Sequence, residues 1–325
     1  MRRVLVTGGS GFIGTRLVEL LKGGDNVVLN VDIAEPRNPE HRQFFRKADI
    51  LDPEALEGAA REFGATHVVH LAAEVHTWGS NMEFYRANTD GTRHVVRMCA
   101  HVQSVERAIF TSTKLVAPEG YRQSHVEDYR PYGLYGESKV ISEKVVREDT
   151  TMKCAWCVVR PSGTWGPWGH AGYSGLFRAV SKGVYFHPGR ISPPKRYGYV
   201  GNVGFQLMRL LEAPVDTIHR QTFYIADYEV YSVREWANTV ADVLGRKRPR
   251  TLPGWFVRMA AKIGDVCYAL GWHGVPLRTS RLRHMWTDTT QLDMGPTEEI
   301  VGPLPYTLKQ GVAETVEWLK AHGQI

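Results

Sequence analysis

Tyr135 and Lys139, four residues apart, are the pair in this chain best spaced for proton chemistry. A phenol keeps its proton until about pH 10, so most tyrosines are packing groups with a polar tip. On a helix, positions i and i+4 share a face. An ammonium there favours the phenolate and lowers its pKa toward the range a general acid/base needs. The neighbouring tyrosines fail this test: Tyr121, Tyr129 and Tyr132 have His125, Gly133 and Gly136 four residues on. Because Tyr-x-x-x-Lys also recurs by chance, the pair gains meaning only from its surroundings.

The first of these is a glycine loop. Gly8, Gly11 and Gly14 follow the apolar run Val4-Leu-Val-Thr7 and open a helical pattern. Small residues there let backbone N–H groups approach a pyrophosphate, and the helix N-terminus adds partial positive charge. A second strand pattern ends in Asp32, eighteen residues past Gly14. A carboxylate so placed accepts hydrogen bonds from a ribose 2′-OH and repels a 2′-phosphate. The cofactor expected is NAD, with Arg37 keeping NADP open. Asp49-Ile50 either meets the adenine edge or, through Asp49, caps the helix expected at Pro53.

The elements that must position these groups alternate. Residues 4–7, 26–31, 67–71, 108–112 and 154–159 read as strands, and residues 12–22, 53–63, 82–101 and 136–148 as helices. Such alternation predicts an α/β fold with a doubly wound, parallel, Rossmann-like sheet. Past Arg160 the rhythm lapses into glycine, proline and serine, returning at 199–211 and 222–226 before helical patterns at 232–244 and 308–321. We expect a cofactor domain over 1–160, rejoined by 198–226, and a smaller mixed substrate lobe built from 161–197 and 227–325. The cleft belongs at the C-terminal ends of the strands.

Composition narrows the partners. With 43% hydrophobic and 23% charged residues the chain is an ordinary folded protein. A spread charge of +6 suits a small anionic substrate, whereas nucleic acid needs a concentrated basic stripe. The run Gly245-Arg-Lys-Arg-Pro-Arg250 reads as a solvated loop. The four cysteines make no disulfide framework. Cys154 and Cys157 lie three apart on a strand pattern, facing opposite sides, so no metal is expected there. Glycines at 8, 9, 11 and 14 interrupt any signal-peptide pattern at the start. Residues 255–272 are apolar-rich but carry Arg258, Lys262 and Asp265, which argues against a bilayer span. The expectation is a reduced, cytoplasmic protein with no membrane partner.

Together these motifs resemble the extended short-chain dehydrogenase/reductase family, the NAD-dependent sugar-nucleotide epimerases, dehydratases and reductases. The likeness runs through Thr7-Gly-Gly-Ser-Gly-Phe-Ile-Gly14, His70-Leu-Ala-Ala73, Asn88-Thr-Asp-Gly-Thr92, Thr111-Ser-Thr113, Tyr135-Gly-Glu-Ser-Lys139, Arg160-Pro161, Trp165-Gly-Pro167 and Gly302-Pro-Leu-Pro-Tyr306. It implies that Thr113 holds the substrate oxygen while Tyr135 moves the proton, and that Lys139 holds the nicotinamide ribose. It implies cofactor contacts from Gly8, Ser10, Gly11, Phe12, Ile13, Gly14, Asp32, Ile33, Asp49, Ile50, Leu71, Ala72, Ala73, Asn88, Tyr135, Lys139 and Pro161. It also implies a homodimer in which residues 82–101 and 136–148 pack as a four-helix bundle.

Departures from the family pattern narrow the reaction. Lys114-Leu115 stands where the resembling 4,6-dehydratases carry Asp-Glu, and the cysteine of C3/C5 epimerisation is absent nearby. What remains is oxidation and reduction at one carbinol, most simply 4-epimerisation of a nucleotide sugar through a keto-sugar. The substrate cations offered are Lys114, Lys195, Arg196, Arg281 and Arg283, though Lys114 suits a rim salt bridge better and the two later arginines also suit an exposed surface. Gly163, where nucleotide-sugar relatives often have Asn, and Val200-Gly-Asn-Val203, similar to 3β-hydroxysteroid dehydrogenases, keep open a ketoreductase or dehydrogenase on an apolar substrate. A non-catalytic dinucleotide sensor is the reading of another class.

Overall fold

The computed structural model describes residues 1–169, 171–272, 275, 277–279, 282, 287 and 290–325. Its centre is a seven-stranded, all-parallel sheet. In chain order β1 (Arg2–Thr7), β2 (Asn26–Asp32), β3 (Phe45–Lys47), β4 (His67–His70), β5 (Arg107–Thr111) and β6 (Ala155–Pro161) are joined by the later strand Thr222–Ile225. The spatial order is Thr222–Ile225, β6, β5, β4, β1, β2, β3. The order reverses beside β1, so the crevice where open α/β sheets bind ligands falls at the end of that strand.

Alternating side chains divide the core. Val4 and Val6 join Leu17, Val18 and Leu21 of α1 (Phe12–Leu21) on one face, with Cys157 and the helix Val200–Glu212. Leu5 lies on the other face with Leu56 of α2 (Pro53–Phe63), Val95 of α3 (Arg86–His101) and Val146 of α4 (Gly133–Glu148). Cys154 belongs to this second face, opposite Cys157, so the two thiols share no site. Helix α2 is bounded by local chemistry: the Asp52 carboxylate accepts from Ala55 N–H, and Gly64 closes it at φ 65°.

A third cluster, around Trp165, Phe177, Tyr197, Tyr199 and Trp236, forms the smaller C-terminal unit with three two-stranded ladders. Asp227 ties it to the sheet. Burial pushes this carboxyl up to about 6, while it accepts hydrogen bonds from Tyr199 N–H, Asn202 and Tyr231. Asn202 also bridges to the backbone of Tyr306 at 2.9 and 3.1 Å. The Val-Gly-Asn-Val segment is thus a buried tie between the Val200–Glu212 helix and the C-terminal turn.

Candidate active site

The loop after β1 is shaped for close approach. Gly8 adopts φ +74°, and a Cβ there would stand 2.5 Å from the backbone nitrogen of Ala72. A Cβ on Gly14 would lie 2.1 Å from the Gly8 carbonyl oxygen. No side chain fits at either position, so α1 presents a bare N-terminus to the cleft. Asp32, at the end of β2, accepts from Ser10 N–H and Ala34 N–H, both at 3.0 Å. These bonds hold the carboxylate beside the loop, where it can accept from a ribose hydroxyl. The glycine cradle, the fixed carboxylate and the large cleft fit a dinucleotide.

That cleft encloses about 890 Å³. Of the residues expected at the cofactor, Gly8, Ser10, Gly11, Phe12, Ile13, Gly14, Asp32, Ile33, Asp49, Ile50, Leu71, Ala72, Ala73, Tyr135, Lys139 and Pro161 line it, and so does Thr113. Asp49 does not cap α2, a position taken by Asp52; its own carboxylate accepts from Leu51 N–H at 2.9 Å.

Asn88 stands apart from these residues. It is buried beneath the cleft rather than lining it, bonded reciprocally to the Glu74 backbone at 2.8 and 2.9 Å and donating to Ser138 at 2.8 Å. Its amide anchors the segment after β4 to α4. A buried relay continues the anchor. Thr92 donates to the Asn88 carbonyl at 2.6 Å, so its oxygen accepts from His70 Nε2, and His70 Nδ1 accepts from Thr7. Burial, with Lys139 nearby, pushes His70 down to about 3, so the ring is neutral.

Thr113 and Tyr135 meet because α4 rests on the turn after β5. Gly136 allows this, since a Cβ there would lie 2.5 Å from the Leu115 carbonyl oxygen. Thr113 hydrogen-bonds Tyr135, and Lys139 stands one turn farther along the same face. The electrostatics depart from the sequence expectation. Burial pushes the Tyr135 phenol up to about 12; the Thr113 bond opposes this, while Tyr85 and Glu74 add to it. Burial also pushes Lys139 down to about 8, against the attraction of Glu143. In this state Tyr135 is a protonated acid, because burial outweighs whatever its neighbours do to favour the phenolate.

The neighbouring tyrosines stand away from this chemistry. Tyr121 donates to Asp128 at 2.7 Å, Tyr129 donates to Glu143 at 2.9 Å, and Tyr132 is exposed.

Glu143 was not singled out in the sequence, although Tyr135, Lys139, Glu143 and Arg147 recur every fourth residue and share a face. Burial raises its carboxyl, yet bonds and charge from Arg160 outweigh that and hold it below its ordinary value. Arg160 also reaches Gln123 at 3.1 Å and the Val126 carbonyl at 2.5 Å, fixing the loop before α4.

Among the described residues, the candidate substrate cations do not line the cleft. Lys114 pairs with Glu119 at 3.0 Å in a separate hollow. Lys195 is buried in the ladder with Tyr231. Arg196 donates to the Asp227 and Tyr228 carbonyls at 3.1 and 2.7 Å. Arg281 and Arg283 lie outside the described residues. Arg37, by contrast, lines the cleft and donates to the Trp168 carbonyl. Trp165 is buried, and Trp168 packs on Trp318 with centroids 5.2 Å apart.

Comparison with known proteins agrees with this geometry. The chain is 31% identical over 265 residues to the 3 beta-hydroxysteroid dehydrogenase/Delta 5-->4-isomerase of Mycobacterium tuberculosis, covering 76% of this chain and 71% of that protein. It is 28% identical to the UDP-glucose 4-epimerase of Vibrio cholerae, covering 97% of this chain and 95% of that one. The NAD complex of Thermus thermophilus UDP-glucose 4-epimerase superposes with a TM-score of 0.74 at 25% identity, over 98% of this chain and 99% of that one. Residues 4–224 match the NAD dependent epimerase/dehydratase family model, and the chain is an NAD-dependent enzyme belonging to that family.

Proposed function

We propose that the protein interconverts a secondary alcohol and a ketone on a nucleotide sugar, in the manner of a 4-epimerase. The observation that carries this is the contact of Thr113 with Tyr135 on the cleft wall, with Lys139 one turn on and no carboxylate at the two positions after Thr113. Thr113 holds the reacting oxygen by a hydrogen bond. Tyr135 takes the hydroxyl proton as the carbinol is oxidised and returns it as the ketone is reduced. Lys139 stabilises the phenolate so formed. Bound NAD supplies the hydride acceptor and donor at the substrate carbon. Gly8, Gly11 and Gly14 would cradle its pyrophosphate, with Asp32 on its ribose.

The absence of an acid at Lys114-Leu115 favours return of the hydride over elimination of water. Incubation of the purified protein with UDP- and GDP-hexoses should yield the C4 epimer without net NADH; a panel giving neither turnover nor binding overturns the reading. A second reading, net dehydrogenation of an apolar ring alcohol, is favoured by Lys195 and Arg196 lying away from the cleft. NADH release with a hydroxylated apolar substrate would select it.

A further inference from the structure

The helix Gly254–Ala269 buries one stripe, Val257, Ala261 and Gly264. The contact is tight: a Cβ on Gly264 would lie 2.0 Å from the Leu277 carbonyl oxygen. The opposite stripe runs Trp255, Met259, Ile263, Val266 and on to Leu270, at the helical period, and these side chains are 63, 47, 57, 59 and 83% exposed. With Phe256 and Trp272 they are seven of the seventeen exposed large apolar residues among those described, concentrated in eighteen positions. Apolar residues scattered singly are ordinary, whereas one contiguous apolar face marks an interaction surface.

Its charge identifies the occupant. Residues 245–272 carry six cations and a single carboxylate, Asp265, which Arg278 approaches at 3.5 Å; of the six, Arg248 is already paired with Asp242 at 2.8 Å. Arg258 and Lys262 flank the apolar stripe and are exposed, as are Arg246, Lys247, Arg248 and Arg250 in the loop before it. We propose that this helix lies flat on an anionic lipid surface, its apolar stripe in the acyl boundary and its cations against the phosphates. An amphipathic helix with a basic flank binds in that way, and tryptophans prefer the interface depth. Trp255 and Trp272 bracket the stripe.

A second copy of the chain fits less well, because a two-fold contact brings only the same excess of cations to a basic flank. No described helix is long and apolar enough to cross a membrane. The charges that argue against spanning are the ones an interfacial helix uses. This departs from the sequence expectation of no membrane partner and is independent of the substrate assigned above.

Co-sedimentation of the full chain with phosphatidylglycerol-containing vesicles, against pure phosphatidylcholine, tests it. Binding should be about tenfold tighter to the anionic vesicles, weaken with salt, and shift tryptophan emission to the blue. Met259→Glu combined with Ile263→Glu should abolish binding while circular dichroism and NAD affinity stay unchanged. Arg258→Glu combined with Lys262→Glu should remove the preference for anionic lipid. Failure to bind anionic vesicles overturns the proposal, as does binding that the Met259/Ile263 pair leaves intact. Self-association abolished by that pair, without vesicle binding, would assign the face to a second copy instead.

Discussion

Arg160 grips Glu143 with two parallel hydrogen bonds, Nε to Oε1 at 2.8 Å and Nη2 to Oε2 at 2.7 Å, and both side chains are almost fully buried. The pair joins the end of β6 to the middle of α4, one helical turn from Lys139. It therefore holds α4 in place and supplies the negative charge that supports the Lys139 proton.

Glu143→Gln separates these two effects. Removing one partner leaves the Arg160 cation buried and unpaired, so unfolding free energy should fall by about 3–5 kcal/mol. Lys139, already down to about 8, loses the charge that raises it, so the alkaline limb of activity should move to lower pH. Arg160→Met in the same chain should restore much of the stability without restoring the limb. If stability and limb recover together, the carboxylate has no electrostatic part in the site.

Lys139→Met should abolish activity yet stabilise the cofactor-stripped fold. The folded pKa of about 8 lies below the ordinary 10.5, so the unfolded chain binds more protons between those values and stability rises with pH there. Below that window the fold carries the whole penalty of burying the charge. Removing it should raise unfolding free energy at neutral pH by about 1–3 kcal/mol and flatten the alkaline slope. Denaturant melts at two pH values decide this, and a net loss of stability would contradict it.

Asp32 should control the choice of dinucleotide together with Arg37. Asp32→Ser removes the charge that repels a 2′-phosphate and leaves the Arg37 guanidinium in the cleft. Affinity for NAD should fall and the NADP-to-NAD preference rise, by about tenfold or more. Arg37→Ala added to that change should cancel the gain for NADP. Titration calorimetry with both cofactors measures the two effects, and NADP binding indifferent to Arg37 would assign it to the Trp168 carbonyl alone.

What the sequence made legible was whatever depends on neighbours in the chain. Residues 53–63 are helical as expected because Asp52 and Gly64 terminate the segment by local chemistry. The glycine loop and Asp32 come together because adjacent parallel strands align Thr7 with Val31. The start of α3 lies at Arg86 rather than Met82 because Glu83–Tyr85 forms a 3-10 turn first. The burial of Asn88 was not legible, because its spacing does not reveal that its amide faces Glu74 and Ser138. Lys195 and Arg196 read as phosphate contacts because nothing local shows the buried Lys195–Tyr231 ladder and the Asp227 and Tyr228 carbonyls that engage Arg196. The lowered Tyr135 pKa rested on a lysine at i+4; the surrounding core, invisible to spacing, pushes the phenol the other way.

That reversal has a kinetic consequence. With its pKa pushed up to about 12, Tyr135 is protonated at neutral pH and ready to give a proton to a ketone. Taking a proton from an alcohol requires the phenolate, whose population rises tenfold for each unit of pH below that value. The oxidative half-reaction should therefore climb with pH while the reductive half-reaction stays flat. Near pH 8 Lys139 begins to lose the charge that supports the phenolate, so the climb should slacken there. Tyr135→Phe should lower both half-reactions by about 10²–10⁴-fold and leave NAD affinity nearly unchanged. Single-turnover rates of each half-reaction, followed by nicotinamide absorbance across pH, test this directly. Equal pH dependence of the two directions would place the transferred proton on a group other than Tyr135.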